Sequence, residues 1–214
     1  MKRIGNLFDK ICDLSNLYRA YEIARRGKGG QYGVKLFEKD VEGNLNQLHQ
    51  ELMSGTYRTS EYKVFTIYDP KEREISCLPF RDRVVQHAIM NILEPVWRKI
   101  FIRNTYSCIK GRGIHDALRH LKGDLKDVEN TQYCLKLDIK KFYPSIDRDL
   151  LKVIVRRKIK DARLLQLLDE IIYSTPRGIP IGNYLSQFFR ELVPYVLRPL
   201  VERGQEDKVL SPVR

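Results

Sequence analysis

Between Arg81 and Ile102 the apolar residues Val84, Val85, Ala88, Ile89, Ile92, Leu93, Val96, Trp97 and Ile100 recur at the 3.6-residue period of an α-helix. A helix this long with so apolar a face has to be buried by its neighbours, so it constrains every element placed around it. Pro95 is expected to kink or interrupt it. Leu7, Ile11, Leu14, Tyr18 and Tyr21 write an earlier helical element that stops at Arg25-Arg26-Gly27-Lys28-Gly29-Gly30. Phe37, Val41, Leu45, Leu48 and Leu52 write a second, closed by Gly55. The aromatic and β-branched run Tyr62 to Tyr68, the turn Asp69-Pro70-Lys71-Glu72 and the run Glu74 to Leu78 predict a β-hairpin. After the loop Gly111-Arg112-Gly113 a helix is expected from Ile114 to Lys126, then a strand over Tyr133 to Ile139 that ends in an acid. Helices at about 148–160 and 162–173 follow, then the loop Thr175 to Gly182, then a last helix from Asn183. Many helices with few strands make an α+β chain.

With 214 residues, 43% of them apolar, the chain can pack a core as one ordinary domain or two small ones, which excludes disordered, collagen-like and mucin-like classes. No apolar run approaches the roughly 18 residues of a membrane span, and Met1 to Leu14 is amphipathic rather than a signal peptide. A cytoplasmic, non-membrane protein is expected. Cys12, Cys77, Cys108 and Cys134 show no zinc spacing and are read as reduced structural thiols. The net charge of +12 is patchy: residues 95–122 hold seven Lys/Arg against one acid, and residues 152–163 hold six against one. Such blocks favour a polyanionic partner, or they are solvated helix faces.

Three places could carry chemistry. Asp138, at the end of the expected strand, is placed to offer a carboxylate oxygen to Mg²⁺, or to cap the next turn. Asp147 and Asp149 read as helix N-terminal acids. In Ile181-Gly182-Asn183-Tyr184-Leu185-Ser186-Gln187, glycine permits close approach of a ligand while the polar groups could read a base or sugar; Asn183 is equally explained as an N-cap. Lys71 and Arg73 at the hairpin tip could clamp a triphosphate, or be ordinary polar turn residues.

The order of these segments carries a resemblance. Pro70-Lys71-Glu72-Arg73-Glu74-Ile75, Pro79-Phe80-Arg81-Asp82-Arg83-Val84-Val85-Gln86-His87-Ala88, Leu93-Glu94-Pro95 and Tyr106 through Leu118 resemble the fingers blocks of bacterial reverse transcriptases. Leu137-Asp138-Ile139-Lys140-Lys141-Phe142-Tyr143-Pro144-Ser145-Ile146-Asp147 is similar to their first palm motif, and Gly178 through Gln187 to the second. The Ile-Gly-x-x-x-Ser-Gln form of the latter, and the opening Asn6 to Cys12, resemble the enzymes of diversity-generating retroelements.

The resemblance implies right-hand polymerase fingers and a partial palm, mostly helical, with a fingers β-hairpin and an incomplete palm sheet. It divides the chain into an N-terminal helical extension (1–60), fingers (61–130) and partial palm (131–214). It implies an RNA-directed DNA polymerase, with RNA template and primer and dNTP as partners and two Mg²⁺ ions as cofactors. Asp138 would be the catalytic carboxylate and, with the Ile139 carbonyl, a metal ligand. Lys71, Arg73, Tyr143, Gly182 and Gln187 would hold the nucleotide, with Tyr143 excluding a 2′-hydroxyl by bulk. Lys110, Arg112 and Arg119 would track nucleic-acid phosphates.

The family also uses a later Tyr-x-Asp-Asp hairpin and a thumb, and this sequence contains no Asp-Asp dipeptide. One carboxylate cannot fix two divalent ions. The expectation is therefore a chain ending inside the palm and inactive alone, completed by a missing part, or else a non-catalytic RNA-binding remnant. A third possibility is a helical protein whose basic faces bind nothing. An unfinished palm should expose apolar surface and self-associate.

Overall fold

The computed structural model describes residues 3–68, 71–99, 101, 104–107, 109, 111–134, 136 and 138–192. In chain order these form α1 (Phe8–Cys12), α2 (Leu14–Arg25), α3 (Tyr32–Phe37), a 3-10 turn (Glu38–Asp40), α4 (Val41–Ser54), β1 (Lys63–Ile67) and β2 (Arg73–Cys77). Then come α5 (Phe80–Arg98), α6 (Ile114–Asp124), α7 (Phe142–Ser145), α8 (Arg148–Arg156) and α9 (Ala162–Ile172), with residues 184–192 helical again.

The periodic segment from Arg81 is α5, the spine of the molecule. Val84, Val85, Ala88, Ile89, Leu93 and Trp97 are completely buried, and α1, α2, α3 and α4 all pack against it. The helix runs on through Pro95 to Arg98 instead of breaking there. Pro95 has no N–H to give the Asn91 carbonyl, so one ladder bond is missing there while the helix continues for three more residues. The first expected helix is two, α1 and α2. Asp13 separates them with ψ at 133°, and its carboxylate accepts the Ser15 backbone N–H at 2.8 Å, starting α2 anew. At the end of α4, Gly55 takes the left-handed conformation, φ 72°, as the sequence pattern predicts.

Polar side chains stitch these layers together. Asn16 donates from Nδ2 to the Ile11 and Ala88 carbonyls, at 2.9 and 3.0 Å, so α2 is tied to both α1 and α5. Asp161 caps α9 through Leu164 and also accepts the Leu7 and Phe8 N–H groups at 2.8 and 3.0 Å. Burial opposes its charge, yet those three backbone donors outweigh burial and hold its carboxyl below the usual range. A parallel bridge between Ile4 and Ile159 completes this attachment of the N-terminus to the α8–α9 connection. One apolar core runs from Leu7 to Leu192.

β1 and β2 form an antiparallel hairpin with Phe65 opposite Ile75 and Ile67 opposite Arg73. It is the one sheet among the described residues. The expected palm strand is not there: Tyr133, Cys134, Lys136, Asp138 and Ile139 are all outside any strand, and Leu135 and Leu137 lie outside the described residues. Extended backbone becomes a strand when a neighbour pairs its N–H and C=O groups, and none of the described segments lies alongside to do so. Earlier in the chain, α6 buries no residue, leaving Ile114, Leu118, Leu121 and the following Leu125 exposed.

Cys12 is buried, which pushes its thiol up to about 12, whereas Cys134 is exposed; Cys108 lies outside the described residues. Asp82, fully buried in the first turn of α5, accepts the Tyr57 hydroxyl at 2.7 Å and the Ser60 N–H at 3.2 Å. It thereby fixes the approach to the hairpin. Burial, then the Asp82 charge, push the Tyr57 phenol upward. Asp82→Ala strands that hydroxyl without an acceptor and is expected to lower the unfolding free energy by about 2–3 kcal/mol. Urea denaturation reads this directly; a loss within about 0.5 kcal/mol, the range of an ordinary surface substitution, would contradict the role.

Candidate functional site

Residues 175–183 are the junction of the structure. Gly178 has φ 59°, and a β-carbon there would stand 2.3 Å from the Tyr143 carbonyl oxygen and 2.7 Å from the Pro144 Cα. Only glycine permits that approach. Next to it the Ile179 N–H donates to the Tyr143 oxygen at 3.1 Å. Two residues on, the Ile181 carbonyl accepts the Ser76 N–H of β2 at 2.9 Å. Gly182, at φ 115°, passes so close to β2 that a β-carbon would sit 2.9 Å from the Ser76 oxygen. Asn183, buried, donates from Nδ2 to the Tyr62 hydroxyl at 2.9 Å, and that hydroxyl meets Ser174 Oγ at 2.7 Å. The loop thus spans from α7 to the hairpin and is bonded to both.

The turn into the helical residues 184–192 is held by α5. Gln86 Oε1 accepts the Leu185 N–H at 3.4 Å, doing from a neighbouring helix what the sequence suggested Asn183 could do. His87 stacks on Tyr184 with ring centroids 4.5 Å apart, and Trp97 packs against Phe188 and Phe189 at 6.0 and 6.1 Å. Burial, reinforced by the adjacent Arg83, pushes His87 down to about 4, so it is a neutral ring at pH 7. Between α5, β2 and this turn lies a cavity of about 210 Å³, lined among others by Lys28, Arg83, Gln86, His87, Gly182 and Gln187. Gly182 and Gln187 were expected at a ligand site. Arg83, Gln86 and His87 were not singled out, although polar residues at i, i+3 and i+4 inside an otherwise apolar helix share one face and were the available signal.

The remaining expected site residues divide. Tyr143 is half-buried on α7, edge-on to Phe142 at 5.8 Å and bonded through its carbonyl to the loop. Lys71 and Arg73 are exposed at the hairpin end. Asp138 and Ile139 are exposed on the segment leading into α7. Asp147 is the N-cap of α8, accepting the Asp149 and Leu150 N–H groups at 2.9 and 3.0 Å, as its position suggests. Arg119 pairs with Asp116 at 3.3 Å on exposed α6, Arg112 reaches the Thr105 carbonyl at 3.5 Å, and Lys110 lies outside the described residues.

Three of the six cations of the second basic block are ion-paired to acids of the protein itself. Lys152 and Arg156 both pair with Asp169 of α9, the guanidinium with both carboxylate oxygens, and Arg163 pairs with Asp9 while lying 4.2 Å over the Phe8 ring. Its charge therefore says less about a polyanion than its density suggests. As for metal, no group of three His, Cys, Asp or Glu side chains among the described residues could hold an ion. One exposed carboxylate and one backbone carbonyl do not fit a two-metal centre.

Comparisons with known proteins place this chain in a family. Residues 68–193 match the family described as reverse transcriptase (RNA-dependent DNA polymerase). The chain belongs to that family. It is 28% identical over 213 residues to protein YkfC of Escherichia coli K12, an alignment covering 89% of this chain and 55% of that protein. It is 25% identical over 175 residues to the group II intron-encoded protein LtrA of Lactococcus lactis subsp. cremoris, covering 73% of this chain and 29% of LtrA. Nuclear intron maturase 4 of Arabidopsis thaliana is 26% identical over 185 residues, covering 85% of this chain and 22% of the maturase. Among solved structures, a chain of a partial Cas6-RT-Cas1–Cas2 complex shares the fold, with TM-score 0.60 and 20% identity over 92% of this chain and 35% of that one. The chain spans about half or less of the length of these relatives. None of its described helices is long and apolar enough to cross a membrane.

Gly178→Ala tests the junction. Forcing alanine into the left-handed region costs about 1–3 kcal/mol by itself, and the clash with Tyr143 adds to it. The urea midpoint is expected to fall accordingly, whereas Gly123→Ala on α6, where a β-carbon meets nothing within 4 Å, should leave stability unchanged or raise it. Equal behaviour of the two variants would contradict the close approach.

Proposed function

We propose that this chain is the fingers and partial palm of a reverse transcriptase that holds RNA template, primer and dNTP, and that it does not add nucleotides unaided. The observation that carries this reading is the loop bonded at Ile179 to Tyr143 and at Ile181 to Ser76. It brings residues from three separate sequence blocks into one region, and these are the blocks in which a polymerase of this family keeps its nucleotide contacts. In this reading residues 1–60 are an N-terminal extension, 61–130 the fingers and 131–214 the partial palm.

Each residue then has a role set by its position. Lys71 and Arg73, exposed cations on the hairpin, contact the triphosphate. The Tyr143 ring lies under the sugar, while Gly182 and Gln187 border the nucleotide and the template. Lys110, Arg112 and Arg119 follow phosphates. Asp138, with the Ile139 carbonyl, supplies only part of what Mg²⁺ needs, so the chemical step requires further carboxylates. The form Ile181-Gly182-x-x-x-Ser186-Gln187 supports placement beside the diversity-generating retroelement enzymes, whereas the relatives named above are group II intron and bacterial proteins. The incomplete palm would leave apolar surface exposed and favour self-association.

A second reading, a non-catalytic RNA-binding module, is favoured by the same unfit donor set. One experiment covers both. The chain is expected to bind a single-stranded RNA with an affinity that falls with salt, by about 0.7 in the log-log slope for each phosphate neutralised. Asp138→Asn should leave that binding unchanged. Primer extension on an RNA template with Mg²⁺ and dNTPs should show no incorporation. Incorporation above the Asp138→Asn control would overturn the proposed inactivity, and salt-insensitive or absent RNA binding would overturn both readings.

A further inference from the structure

The loop around Gly182 is bonded to the hairpin by two different means. On the β2 side the Ser76 N–H donates to the Ile181 carbonyl. On the β1 side the contact is made by side chains: Asn183 donates from Nδ2 to the hydroxyl of Tyr62, which immediately precedes Lys63, the first residue of β1. The bonds around that hydroxyl run in one direction. Ser174 Oγ gives its proton to the Ile171 carbonyl at 2.7 Å, so in its 2.7 Å contact with Tyr62 it is the acceptor and the phenol is the donor. The Tyr62 oxygen is left to accept from Asn183. The Ile171 carbonyl lies in the last turn of α9, where intrahelical partners run out. Asn183 is 4% exposed, so water does not replace its bond to Tyr62 if that bond is lost. Burial raises the Tyr62 phenol against the two bonds, which keeps it protonated at neutral pH. Just upstream, Asp82 of α5 holds Tyr57 and Ser60, and Glu170 of α9 accepts the Thr59 N–H at 3.1 Å. Residues 57–62 are thus a strap anchored on α5 and α9, with Tyr62 as the anchor next to the hairpin.

We infer that Tyr62 is a positioning residue: its hydroxyl, pinned to α9 and to Asn183, fixes the direction in which the hairpin leaves the glycine loop. A single hydrogen bond fixes a point and leaves a pivot; a second bond away from it removes the rotation. Ser76 faces Val64 in the hairpin, two residues from Tyr62, so the two attachments stand apart on the two strands. The consequence is for the ligand. Lys71 and Arg73 belong to the hairpin, Gly182 and Gln187 to the loop and the helical residues after it. A nucleotide that touches both sets meets them at one separation only, and fixing that separation beforehand removes an ordering cost from binding. Tyr62 acts through Asn183 and does not itself touch the nucleotide. The inference rests on the proposed function for its ligand, but not for the lock between hairpin and loop.

The test compares the wild-type chain with Tyr62→Phe, Asn183→Ala, the double variant and Tyr57→Phe, which also loses a buried hydroxyl bond but at the far end of the strap. Affinity for dNTP is measured with an RNA template and annealed DNA primer in Mg²⁺, and affinity for the RNA is measured alongside. Tyr62→Phe and Asn183→Ala should each weaken dNTP binding about five- to tenfold, and the double variant no further, because both remove the same bond. Tyr57→Phe should lower the thermal midpoint and leave dNTP affinity unchanged. RNA affinity should stay the same throughout. No loss in Tyr62→Phe, an equal loss in Tyr57→Phe, losses that multiply in the double variant, or a parallel fall in RNA affinity would overturn the assignment. If wild type binds no dNTP, the proposed function fails at that site, and backbone relaxation of the β1 and β2 amides decides the lock. Tyr62→Phe should then mobilise the hairpin where Tyr57→Phe does not, and equal order in the two would overturn it.

Discussion

The Ile179 N–H reaches the Tyr143 carbonyl because the residue before it has no side chain, and the placement of the candidate site depends on that contact. A β-carbon at Gly178 would force the two backbones apart. Tyr143 and the segment carrying Asp138 would then lose their fixed relation to the loop. Two residues later Ile181 and Gly182 repeat the arrangement against Ser76 of the hairpin. Two backbone hydrogen bonds and two glycines thus convert three distant stretches of sequence into one surface.

That junction can be rigid because α5 stands behind it. Buried residues occur along the helix from Phe80 to Trp97, and the buried polar ones, Asp82 and Gln86, bond to the segments on either side. Asp82 holds the segment that leads into the hairpin, Gln86 caps the helix that follows the loop, and Trp97 packs against Phe188 and Phe189. The same helix therefore fixes both partners of the junction. At the hairpin end Lys71 and Arg73 are exposed.

Much of this was legible in one dimension where the determining interaction is local. The 3.6 period gave α5, the turn residues gave the hairpin, and Gly55 and Asp147 marked helix ends correctly. Misreadings arose where the partner lies far away in sequence. Tyr133 to Ile139 alternates like a strand, but a strand needs a neighbour to pair with, and alternation cannot supply one. The run from Lys152 to Arg163 is as basic as a phosphate-binding face, yet Asp169 and Asp9, on other helices, neutralise half of its cations. Capping by Gln86 was invisible for the same reason: donor and acceptor are 99 residues apart. The blocks at Leu137–Asp147 and Gly178–Gln187 were recognisable in the sequence, while their mutual contact through Gly178 is a property of the fold.

Membership of the reverse transcriptase family accounts for the order of the blocks, and the junction accounts for why that order matters physically. The most direct measurement is amide hydrogen exchange, resolved by residue, at Ile179 and Ser76. If the loop is bonded to α7 and to β2, both amides should exchange as slowly as those of neighbouring packed elements, and the Ile179 amide should lose that protection in a variant that adds a side chain at Gly178. Exchange of Ile179 and Ser76 at the rate of exposed loop residues would show that the blocks are not held together, and the account of the site would fail.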